Sequence, residues 1–176
     1  MSGAFGWWAG TRGEMTAVTT ERTKLPRKDL FTPATLEEAK ERLARLRPES
    51  ERLWGKMTAA QMLAHCAASM EMAVGLTFPK RRFIGRLVGP IAKKALITEG
   101  QPFRRNSPSD KSLIIREERE FEKERQRLNG LLERFQAGGP AGCTRHPHSF
   151  FGRLTPAEWA TLTYQHLDHH LQQFGV

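Results

Sequence analysis

The sequence predicts an all-α protein, an antiparallel bundle of four or five helices. Three observations carry that reading. Apolar residues recur at helical spacing in several separate stretches, whereas no stretch shows the alternation of a half-buried strand. Three of those stretches follow a threonine with Glu or Gln three residues on: Thr35 with Glu38, Thr58 with Gln61 and Thr155 with Glu158. Such pairs form capping boxes, in which each side chain satisfies a backbone N–H that the first helical turn leaves unpaired. Glycine or proline closes most of the same stretches.

In chain order, residues 1–30 mix Gly, Thr and charges without periodicity, and their aromatics Phe5, Trp7 and Trp8 are isolated. This stretch reads as a flexible N-terminal extension, with the helical domain spanning residues 31–176. The first helix is expected from Thr35 to Leu46, with Leu36, Ala39, Leu43 and Leu46 on its inner side and Pro48 beyond its end. Trp54 then anchors a short polar connection. The second helix, from Thr58 to about Val74, is apolar on most faces and therefore belongs inside. Its one polar line is Gln61, His65 and Ser69, spaced i, i+4, i+8. Phe83, Ile84, Leu87, Val88 and Ile91 suggest a further helical stretch, weakened by Gly85, Gly89 and Pro90. A long amphipathic helix is expected from Asp110 to about Gln136, with Leu113, Phe121, Leu128, Leu132 and Phe135 inward and Gly138–Gly139 at its end. The last helix starts at the Thr155 cap with Pro156 in its first position and stops at Gly175.

Composition narrows the function classes. The 176 residues are 39% hydrophobic, enough for one domain with a real core. No run approaches the roughly 18 apolar residues of a membrane span, no secretory leader is evident, and no membrane contact is expected. Cys66 and Cys143 lie far apart, which suits a reducing cytoplasm rather than a disulfide framework. The net charge of +9 is concentrated. Lys80, Arg81, Arg82, Arg86, Lys93, Lys94, Arg104 and Arg105 face only Glu99 between residues 80 and 105, whereas Asp110 to Arg134 has seven charges of each sign. The excess is one local block rather than a basic shell. A solvated face or an anion site suits it better than nucleic-acid binding, which remains the weaker alternative.

The candidate chemistry lies on the final helix. At about 100° per residue, Trp159, Leu162, Thr163, His166, Leu167, His170 and Phe174 share one arc. His166 and His170 thus sit one turn apart on an apolar face. A neutral imidazole buried without partners loses roughly 1–3 kcal/mol for each unpaired group. The pair therefore needs either individual hydrogen-bond partners or a metal ion held by both rings. With His65 from the second helix they form a three-nitrogen set, which leaves a metal an open position, as catalytic sites do. His169 and Gln61 are expected beside the ligands, as orienting partners or alternates. A rival set, Cys143, His146 and His148, has metal-like spacing in a Gly- and Pro-rich loop but no fourth ligand. A zinc-protease motif is excluded, because the segment reads H-L-D-H-H, without glutamate after the first histidine.

Two segments carry a family resemblance. WGKMTAAQMLAHCAASM (Trp54 to Met70) resembles the second-helix signature of the DinB/YfiT-like superfamily of metalloenzymes. HPHSFFGRLTPAEWATLTYQHLDHHLQQFG (His146 to Gly175) is similar to the final helix of an uncharacterised branch of it. The resemblance implies a four-helix bundle of up-down-down-up topology with a divalent metal, Zn, Ni or Fe, on a histidine triad that maps onto His65, His166 and His170. Characterised relatives in that superfamily include S-transferases using low-molecular-weight thiols and a mycothiol-dependent maleylpyruvate isomerase. The resemblance therefore implies thiol transfer to a small electrophilic substrate, with a homodimer compatible. This chain differs in its tandem His169–His170 and its basic middle, which offers Arg81, Arg82 and Arg86 as anion contacts. The alternative is a metal- or ligand-binding stress-response module without turnover.

Overall fold

Two threonine caps set the elements that matter most for the site. Thr58 opens α2 (Ala59–Ala73) and Thr155 opens α5 (Pro156–Gln173). Each threonine hydroxyl accepts the N–H three residues on at 3.2 Å, and Gln61 and Glu158 accept the cap residues' own N–H groups at 3.0 and 2.8 Å. Gly175, at φ 72°, ends α5 as expected. A computed structural model describes residues 27–107 and 110–176 of the chain. Within them the protein is all-helical, with five α-helices and no strand. None of these helices is long and apolar enough to cross a membrane. Residues 1–26 of the expected extension lie outside the described residues. Leu30 is fully buried and its N–H reaches Ala160 O at 3.3 Å, so the core takes in the end of that stretch.

The first helix, α1 (Pro33–Arg45), begins two residues earlier than expected. Proline fits the first helical position because its missing N–H would be unpaired there anyway. Thr32 becomes the N-cap, without a side-chain cap bond, and Thr35 is buried inside the helix instead of closing a box with Glu38.

A larger correction concerns the helix expected from Asp110. Helix α4 (Phe121–Gly142) starts eleven residues later, behind Glu120, whose carboxylate accepts the Lys123 N–H. Asp110 instead caps a single 3₁₀ turn, Lys111–Leu113, and the chain then runs extended through Ile114. The β-branched pair Ile114–Ile115 disfavours helix there. Gly139, at φ 53°, breaks α4 where a glycine stop was expected, and a last turn follows.

Helix α2 packs mainly against α4 and also against α5, while α1 lies across α4 and α5. Leu43 and Leu46 near the end of α1, Met62 and Leu63 of α2, Leu128 and Leu132 of α4, and Trp159 and Leu171 of α5 are almost wholly buried. Burying each such side chain contributes roughly 1.5–3 kcal/mol. Two ion pairs tie the helices from outside: Arg127 of α4 to Glu71 of α2 at 2.6 Å, and Arg42 of α1 to Asp168 of α5 at 2.7 Å.

Helix α3 (Phe83–Lys93) is the exception to apolar-side-in packing. Its buried positions are Gly85 and Gly89, which lie against the backbone of Phe150. A methyl group at Gly85 would fall 2.6 Å from Phe150 O, and one at Gly89 closer still. The apolar side chains therefore face outward. A π-helical turn, Lys94–Thr98, follows Pro90 and ends the element.

Candidate metal centre

His65 is carried by the middle of α2, and His166 and His170 lie one turn apart on α5. Packing of α2 on α5 brings the three rings together, with centroids 4.7 to 4.9 Å apart. Their ligand nitrogens all lie within 4.8 Å of one another. Among the described residues this is the one group of three or more His, Cys, Asp or Glu side chains that meets such a condition. His65 and His170 are buried, at 1% and 7% exposure, while His166 keeps some access to solvent.

Hydrogen bonds on the far side of two rings decide what faces the centre. His65 Nδ1 lies 2.7 Å from Leu113 O, which can only accept, so Nδ1 carries the proton and Nε2 carries a lone pair. His170 Nδ1 lies 2.8 Å from Gln173 Oε1. The Gln173 amide is oriented in turn, because its Nε2 donates to Trp54 O at 2.7 Å. Gly55, at φ 82°, leaves room for that amide, since any side chain there would collide with Gln173 Nε2. His170 Nε2 thus also presents a lone pair, and His166 Nε2 lies 2.9 Å from His65 Nε2.

Burial is the main reason all three imidazoles resist protonation. It lowers His65 below its usual value, pushes His170 down to about 3 and holds His166 well below the ordinary histidine range; neighbouring imidazoles add to the effect on His166 and His170. His65 and His170 thus combine a neutral ring, an inward lone pair and an outward N–H bond to oxygen, the arrangement a divalent cation requires of histidine ligands, and His166 adds a third neutral ring at the same point. The residues fit a metal.

A cleft of about 230 Å³ adjoins the triad, with Trp54, Phe103, Arg105, Gln165, Asp168 and His169 in its wall. The Phe103 ring lies 5.9 Å from His166 and 5.8 Å from His169, and Trp54 lies 5.6 Å from His169. The Arg105 guanidinium sits 4.2 Å above Trp54. Asp168 is already paired with Arg42, so Arg105 is the cation the cleft offers a ligand.

Residues 26–175 match the family described as a protein of unknown function, DUF1569. The chain belongs to the DUF1569 family. No curated protein and no solved structure is detectably similar to it. The match does not tie the DUF1569 family to the DinB/YfiT-like superfamily.

Other residues singled out in the sequence of this DUF1569 protein fall elsewhere. Gln61 is spent on the α2 cap, with its amide near Arg116 O and Glu117 O. His169 lines the cleft and is not among the three grouped nitrogens. Arg82 pairs with Asp110 at 3.6 Å, Arg81 lies over Gly152, and Arg86 is exposed; none of the three lines the cleft. Cys143, His146 and His148 do not form a group. His146 is exposed, whereas His148 is buried and its Nδ1 accepts the N–H groups of Phe150 and Phe151 at 3.0 and 3.3 Å.

His148 has a consequence for acid stability. Burial lowers it to about 4, against an opposing pull from the Asp110 carboxylate. The unfolded chain, with histidine near 6.5, then binds more protons than the native state between those values. Stability from this residue is therefore full above about pH 6.5 and falls as pH drops towards 4, by roughly 3 kcal/mol in all. In chelator-treated protein, His148→Asn should keep an acceptor for the Phe150 N–H but not titrate. Urea midpoints measured across this range should decline less steeply in the variant than in wild type; parallel slopes would contradict the assignment.

Proposed function

We propose that this protein is a divalent-metal enzyme of DinB-like type, a four-helix bundle of up-down-down-up course with His65, His166 and His170 holding Zn, Ni or Fe. The supporting observation is the pair of inward lone pairs on His65 and His170, each fixed by an outward N–H bond to Leu113 O or Gln173 Oε1. When bound, the metal would supply Lewis acidity to a sulfur or oxygen nucleophile.

The reaction that suits the site is thiol transfer to a small electrophile. Trp54, Phe103 and His169 offer flat walls for the substrate, and Arg105 offers a charge for an anionic group. In such a transfer the sulfur forms a bond to carbon, the leaving group departs with its electron pair, and the thiol proton passes to solvent. The chain's own cysteines do not supply the sulfur. Burial pushes Cys66 far above the usual thiol range and Cys143 up to about 11, so neither is a thiolate near neutrality. A separate low-molecular-weight thiol is therefore part of the reading, and the two free cysteines suit the reducing cytoplasm where such thiols abound.

The test is chelator-stripped protein reloaded with Zn, Ni or Fe in turn, then given monochlorobimane and a panel of small thiols including glutathione, cysteine and mycothiol. Conjugate formation above the uncatalysed rate in one loaded form, and not in the stripped protein, is expected. Equal rates with and without metal would overturn the enzymatic reading, and tight ligand binding without turnover would leave a binding module.

A further inference from the structure

Nine large apolar side chains are exposed among the described residues, and seven of them fall between Leu76 and Ile91. Five belong to α3: Phe83, Ile84, Leu87, Val88 and Ile91, with Phe83 at 75% and Ile91 at 73% exposure. At about 100° per residue they share one broad arc, opposite the glycines that seat the helix on Phe150. The inward face is thus fixed by backbone contact, and the apolar face is left outward by construction.

The charge of the segment that carries this face argues for what covers it. It lies within the block from Lys80 to Arg105, where eight basic residues accompany one acidic residue. Lys93 is held by Glu158, Lys94 lies near Glu99, and Arg82 pairs with Asp110. Lys80, Arg81, Arg86 and Arg104 form no ion pair with the described residues. A two-fold contact with a second copy through α3 would set two such basic blocks side by side. An anionic lipid surface instead accepts the apolar side chains among its acyl chains and the lysines and arginines among its headgroups. Eleven residues of helix are far too short to span a bilayer, so the element would lie in the plane of the interface.

We infer that α3 is an interfacial helix that docks the protein on anionic membranes. This does not depend on the metal reading, and it replaces the expectation of no membrane contact with a peripheral one.

The full chain would be sedimented with vesicles of phosphatidylcholine alone and of phosphatidylcholine with about one-third phosphatidylserine. Binding to the anionic vesicles at least about tenfold tighter than to neutral ones, and weaker in high salt, is expected. The triple variant Phe83→Ser/Leu87→Ser/Ile91→Ser should lose it by more than about tenfold. The single Leu87→Ser and the charge reversal Lys80→Glu/Arg86→Glu should each weaken it with unchanged circular dichroism. Absence of binding to anionic vesicles, equal binding to both kinds, or binding indifferent to these variants would overturn the inference. So would a wild-type dimer that the triple variant makes monomeric while neither associates with vesicles.

Discussion

Untagged wild type is expected to retain stoichiometric metal through purification, and protein with His166→Ala and His170→Ala together is expected to lose it. Removing a residue that merely orients a metal-bound histidine typically costs 10- to 100-fold in affinity. Losing two direct ligands should therefore cost at least about 10²- to 10⁴-fold. Gln173→Leu separates orientation from ligation, because it removes the acceptor that holds His170 Nδ1–H while leaving all three imidazoles. Its affinity should fall about 10- to 100-fold with the fold intact. Elemental analysis and competition with a chromophoric chelator would measure both. Equal trace metal in wild type and the double variant would remove the site.

Gly89→Ala is expected to be the most damaging glycine-to-alanine change in α3. The new carbon would press on Phe150 O, a backbone atom that cannot rotate away. Overpacking of this kind costs typically about 1–3 kcal/mol, or roughly 3–10 °C in melting temperature for a domain of this size. Gly130→Ala provides the contrast. It lies in α4 with nothing within 4 Å of the added carbon, so the gain in helix propensity should raise stability by up to about 1 kcal/mol. Thermal melts of the two variants should move in opposite directions. Proteolysis should show the Gly89→Ala damage confined to α3 and its flanks. A Gly89→Ala melt at the wild-type temperature would contradict the seating of α3 on Phe150.

The parts legible in the sequence were those encoded by local side-chain chemistry. Thr58, Thr155 and Pro156 mark helix starts because a cap is a bond between near neighbours. His65, His166 and His170 could be grouped because helical periodicity alone puts two of them on one face and the third on the most apolar helix. What stayed hidden was set by distant backbone. The polar line through Gln61 and Ser69 looked like part of a buried stripe, yet only His65 is deeply buried. Phe83 to Ile91 carries a helical apolar pattern, but the pattern does not say that two glycines would take the inward side. Leu113 read as the inner face of a long helix. The β-branched Ile114–Ile115 pair is the local signal against helix there, and it stands just ahead of the strong periodicity that follows Phe121. Arg105, Phe103 and Gln173 carry no local signal, and their roles follow only from where the loop and the end of α5 meet Trp54.

The break before α4 has a consequence for how this centre can vary. In a continuous helix, Leu113 would spend its carbonyl on the amide four positions later; at the end of the 3₁₀ turn, with the chain extended from Ile114 onward, that oxygen is free for His65. Because the acceptor is main chain, exchanging the residue at 113 leaves it in place. An insertion or deletion between α3 and α4 would shift it out of reach, so the connection should tolerate changes of letter far better than changes of length.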